Sequence, residues 1–144
     1  MTRARVQAAL AEAVVRALAE GDVLALQPLV SSKVVDHSAR QGQPAGWPGV
    51  RERAMTLCAA MPGSDVTVDV LTAAGDTVLA RAELTAVRLG ATPSAAPTTT
   101  SLIVVLVLRF ADDLLTEMWT SSDLVLDRIA GQVAQGMAAS RLPA

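Results

Sequence analysis

Tyrosine is absent from these 144 residues, phenylalanine, histidine and cysteine occur once each, and tryptophan occurs twice. The lone Cys58 can form neither an internal disulfide nor a cysteine-rich zinc site, and it fits a reducing compartment. With His37 as the only histidine, a metal site would have to rest on carboxylates, and the chain contains no HExxH, EF-hand loop or histidine pair. GxGxxG, GxxxxGK(S/T) and GxSxG are missing as well. Their absence removes the usual fingerprints of dinucleotide, nucleoside-triphosphate and serine-hydrolase sites. The longest apolar run covers only residues 102–108, whereas a bilayer-spanning helix needs roughly 20, so no transmembrane helix is expected. Glu12, Arg16 and Glu20 interrupt the apolar residues near the N-terminus, which a secretory signal does not tolerate; a cytoplasmic location is expected. The net charge is −2 and the basic residues form no run, which argues against a nucleic-acid partner.

What is present is apolar side chain. Hydrophobic residues make up 51% and charged residues 18%, enough to offset chain entropy and exclude intrinsic disorder. The length suits one domain spanning 1–144. Val6, Leu10, Val14 and Leu18 repeat every four residues and predict a helix over about 3–20, ended by Gly21. Asp22 suits the cap of a short second helix limited by Pro28, and Pro48 opens a third with Val50, Ala54, Leu57, Cys58 and Met61 on one face. From residue 65 the period falls to 2. Strands are predicted from residue 65, over 77–89, over 101–110 and over 114–120, with turns at 74–76 and 112–113, and a short helix over 123–132. Three helices followed by four strands predict a segregated α+β fold.

Particular residues sit at the joints: Gly21-Asp22, Val34-Val35-Asp36-His37, Gly-x-x-Gly-Val-Arg at 46–51, Gly-Asp-x-Val at 75–78, Arg81 three residues beyond Val78, Arg109-Phe110, and Trp119 four residues before Asp123. In this order and spacing they resemble the SnoaL-like polyketide cyclase group of the nuclear-transport-factor-like superfamily, over roughly residues 8–131. The resemblance implies a cone-shaped fold, three N-terminal helices on a curved, mainly antiparallel sheet, with a pocket at its open end for an apolar small molecule. It also implies general-base ring closure with neither metal nor organic cofactor. One lysine against eleven arginines suits a high-GC bacterial genome, where secondary-metabolic enzymes of this kind are common.

Asp123 matches the base of the family's Trp-x-x-x-Asp pattern, and a carboxylate at an apolar wall has its pKa raised into a useful range. It is equally placed to cap the helix predicted to begin at Leu124. Asp36 and His37 form a second candidate pair, since related ketosteroid isomerases place their base near Asp36. Neighbouring strand residues point to opposite faces, which disfavours both entering one pocket. Arg88 ends an otherwise apolar face and suits a ligand oxygen at the rim or a solvent-reaching strand end. Trp47 and Trp119 offer stacking surfaces or core bulk. Leu106 stands where the isomerases carry a protonated aspartate, so with no tyrosine either, their oxyanion pair is missing and an isomerase of that type is excluded.

Two other readings stay open. Arg81 and Glu83 resemble the Arg-x-acid pair of limonene-epoxide-hydrolase-like proteins and suggest epoxide opening with a relocated acid such as Asp123 or Asp36, although both lie on the odd face of the strand, where an ion pair at a dimer surface explains them as well. A non-catalytic ligand-binding or assembly domain is the other. Because residues 102–108 are apolar on both strand faces, the face turned away from the helices needs cover, and a homodimer through the sheet is expected.

Overall fold

A computed structural model describes residues 2–122. Helix α1 (Arg3–Glu20) starts at Thr2, whose hydroxyl accepts the Arg5 amide at 3.3 Å. It ends in a Schellman turn. Gly21 takes φ 69°, its N–H donates to the Leu18 carbonyl, and the Asp22 N–H donates to Ala17. A Cβ on Gly21 would lie 2.6 Å from the Cys58 Cβ, so this turn packs closely against the helix that carries Cys58. Asp22 then caps the one-turn helix α2 (Val23–Leu26) through the Ala25 amide at 3.1 Å, as expected, and Pro28 sits in a 3-10 turn (Gln27–Leu29).

The next segment departs from the expected order. Val30–Asp36 is a strand, β1, ahead of helix α3 (Trp47–Ala60). Strands β2 (Asp65–Ala74), β3 (Thr77–Arg88), β4 (Thr98–Ala111) and β5 (Leu114–Ser122) follow. The sheet order is β1-β5-β4-β3-β2, antiparallel throughout except that β1 runs parallel to β5. Asp36 is therefore the last residue of an edge strand, and His37 follows it. Both residues of the β4–β5 turn, Asp112 and Asp113, have positive φ, which lets two residues close the hairpin.

Parity sorts the sheet. Val78, Ala80, Ala82, Leu84 and Ala86 of β3 and Leu102, Val104, Leu106, Leu108 and Phe110 of β4 are buried on the inner face, where α1 packs across β2 and β3 and against α3. Burial of this continuous apolar layer is the main force holding helices to sheet. The odd residues of β3 and β4 face outward, with Ile103 and Val107 half-buried and Val105 37% exposed. The architecture is α+β, helices on a mixed, mostly antiparallel five-stranded sheet.

Candidate functional site

A cavity of about 360 Å³ opens between α3, the end of α1, the loop after β1 and the inner face of β4 and β5. Leu18, Leu57, Ala60, Leu102 and Val104 form its apolar wall; Arg53, Gln43, Thr56, Thr120 and Ser122 are among its polar lining. Helical spacing explains the α3 contribution. Arg53, Thr56, Leu57 and Ala60 fall at i, i+3, i+4 and i+7 and so share one face. Gly49 lets the helix start under the loop, because any Cβ there would overlap the Pro44 carbonyl oxygen.

Asp36 organises the polar end without lining the cavity itself. Its side chain is 5% exposed, and both oxygens are engaged: Oδ1 accepts the Ser38 amide at 2.9 Å, and Oδ2 accepts Gln43 Nε2 at 2.9 Å and Arg53 Nε at 2.7 Å. Arg53 Nη2 also donates to the Ser38 carbonyl at 2.6 Å. Ser38 Oγ accepts the Thr120 amide at 3.0 Å, which joins the loop to β5 at the cavity wall. A carboxylate taking hydrogen bonds from a backbone amide, an amide side chain and a guanidinium can fix a loop, a helix and a strand relative to one another.

His37, the next residue, goes to the other side. Its ring stacks on Trp119 with centroids 4.3 Å apart and planes 6° apart, and Nε2 lies 3.0 Å from Glu117 Oε1. Arg109 Nη1 donates to Glu117 Oε2 at 2.8 Å. The hydrogen bonds from His37 and then from Arg109 hold the Glu117 carboxyl below its ordinary value. Trp119 pairs with Val107 and Glu117 with Arg109 on the outer face, so this cluster lies across the sheet from the cavity.

The sequence candidates thus separate. Asp36 supports the cavity from behind, whereas His37 and Trp119 come together on the outer face. Leu106 is 1% exposed in the core, paired with Thr120 but outside the cavity lining. Trp47, at the start of α3, packs against the core, also outside that lining. Asp123 and the side chain of Arg88 lie outside the described residues, as does the helix expected over 123–132. Arg81 and Glu83 are paired with Val105 and Ile103, 3.6 Å from each other, on the outer face. That pair cannot open an epoxide in the cavity, because the sheet separates the two. Arg53 and Gln43 are the residues the sequence reading missed. The i, i+4 relation of Arg53 to Leu57 was the available signal.

Residues 8–126 match the SnoaL-like polyketide cyclase family. The chain belongs to that family. No curated protein matches the sequence. Among solved structures, TsrD from Streptomyces laurentii is 23% identical, covering 89% of this chain and 96% of its own, with a TM-score of 0.67. IdmH from Streptomyces antibioticus, named as a candidate polyketide cyclase, is 22% identical over 86% of this chain and 98% of its own, at 0.66. AclR from Streptomyces galilaeus, named as a candidate hydroxylase, is 24% identical over 89% and 98%, at 0.62. At such identities the likeness establishes the fold that the family members share. Among the described residues, no helix is long and apolar enough to cross a membrane.

Proposed function

We propose that the protein is a cofactor-independent cyclase acting on an apolar poly-β-carbonyl small molecule, with Asp123 as general base. The observation that carries this reading is the cavity itself: an apolar wall facing a polar end, on the inner face of the sheet, lined by Ser122, the residue just before Asp123 in the chain. Family membership supports ring closure as the reaction. The fold alone does not select it, since a candidate hydroxylase shares the architecture.

In the proposed step, the Asp123 carboxylate takes a proton from carbon between two carbonyls. The C–H electron pair becomes an enolate, whose carbon bonds to a second carbonyl carbon of the same molecule. The electron pair displaced from that carbonyl stays on its oxygen, which takes up a proton. The product is an isomer of the substrate, so no oxidant, reductant or leaving group is needed. Apolar walls serve this chemistry by excluding water from the enolate and by folding a long chain into reach of itself.

Asp123→Asn keeps the shape and removes the base. Its rate on a poly-β-carbonyl substrate should fall by about 10²–10⁴ relative to wild type. Equal rates would remove Asp123 from the mechanism, and a ligand retained unaltered by wild type would favour simple binding.

The homodimer is part of the same proposal. Leu79, Val107 and Trp119 form one cross-strand row on the outer face, beside Val105 and Ile103 and bordered by Arg81, Glu83, Arg109 and Glu117. An apolar centre inside a charged rim suits a two-fold contact between copies of this chain.

A further inference from the structure

We infer that Arg53, held in place by Asp36, is the oxyanion-binding residue of the cavity and selects ligands carrying a 1,3-dicarbonyl group that can ionise. The inference rests on the cyclase reading above, and it names which group of the substrate meets which group of the protein.

A guanidinium has five N–H donors. In Arg53 one goes from Nε to Asp36 and one from Nη2 to the Ser38 carbonyl, and Nη1 has no partner among the described residues. Three donors therefore remain on a side chain that lines the cavity. Asp36 cannot swing away to quench them, because the Ser38 amide and Gln43 hold the same carboxylate. The guanidinium is fixed on one edge and free on the other. A free donor pair matches two oxygens that share one negative charge, as the enolate of a 1,3-dicarbonyl does.

The surroundings favour this ligand. Thr56, Thr120 and Ser122 add hydroxyls to the lining, while Leu57, Leu102 and Val104 suit the hydrocarbon part of the ligand. Glu52 and Arg40 also line the cavity as exposed charges of opposite sign, whereas Arg53 is held by its ion pair with the buried Asp36 carboxylate. The chain lacks tyrosine, and Trp119 lies on the outer face, which leaves the oxyanion role to a group other than these. Because charge develops on the dicarbonyl oxygens only as the proton leaves carbon, a pre-fixed guanidinium stabilises the enolate more than the neutral ligand. Asp36 is in this account a positioning residue.

The test uses 2-acetyl-1-tetralone, an aromatic 1,3-diketone whose enolate is read by its absorbance. Bound to wild type, its apparent pKa should drop by at least about one unit, a tenfold gain in enolate. Arg53→Met should abolish the drop in the diketone that it still binds; Arg53→Lys, which keeps the charge without the fork, should retain part of it. Asp36→Asn should shrink the drop while leaving neutral-ligand affinity intact, an effect that general loosening of the fold does not produce. Circular dichroism checks folding, and if Arg53→Met fails to fold, the lysine and asparagine variants still decide. An unchanged drop in the Arg53 variants, or binding to wild type without a drop, overturns the role of Arg53 alone. Failure of the diketone to saturate wild type overturns the cavity reading together with it.

Discussion

Asp36 and His37 show how adjacent residues come to serve opposite sides of one sheet. Asp36 turns to the helix side and is fully hydrogen-bonded; His37 turns outward onto Trp119 and Glu117. The alternation was legible in the sequence. The identity of the Asp36 partners was not, because Gln43 and Arg53 reach it through a loop and a helix whose relative placement no local pattern encodes. Glu117 couples this outer cluster to pH. Its folded pKa lies below the ordinary value of 4.5, so its contribution to stability is fully present above that value and is lost as pH falls through the lower folded one. Urea unfolding of wild type and Glu117→Gln should differ at neutral pH and converge in acid well below 4.5. A stability difference that persists unchanged in acid contradicts the His37–Glu117–Arg109 linkage.

Among elements, the periodic ones were readable from sequence and the irregular one was not. Helix α1 and strands β2 to β5 carry sustained patterns of 3.6 or 2, and the structure places them within a few residues of the expected bounds. Strand β1 has Ser31, Ser32 and Lys33 between its two buried valines, and its register with β5 shifts between Val30 and Val35. Its partner lies some eighty positions away in the chain. Such a strand is specified by the sheet it joins more than by its own composition. At one point of the α1–α3 contact, only glycine fits. Gly21→Ala should destabilise the protein by at least about 1–2 kcal/mol from the left-handed backbone alone. The new Cβ, 2.6 Å from the Cys58 Cβ, adds to that loss. A loss in denaturant unfolding below about 0.5 kcal/mol, under half the backbone cost alone, would mean that the turn relaxes without strain.

At the scale of the whole molecule, β4 divides two jobs between its faces. Leu102 and Val104 line the cavity, while Ile103, Val105 and Val107 face outward. The apolar run at 102–108 showed in the sequence that both faces need cover, though not which face holds the cavity. Ile103 and Val107 are already half-buried and Val105 is 37% exposed, so covering each with a second copy contributes only part of the roughly 1.5–3 kcal/mol of full side-chain burial, before association costs. Val105→Arg should therefore convert a dimer into monomer or insoluble protein in light scattering. A wild type that is monomeric at micromolar concentration contradicts the dimer.

Methyl-resolved NMR during titration with 2-acetyl-1-tetralone shows whether ligand chemistry belongs to the inner face. The methyls of Leu18, Leu57, Leu102 and Val104 should shift and saturate together, while those of Ile103, Val105 and Val107, alternating with them on the same strand, should stay still. Saturable shifts confined to the outer valines and Ile103 would place the ligand on the opposite face and contradict the account.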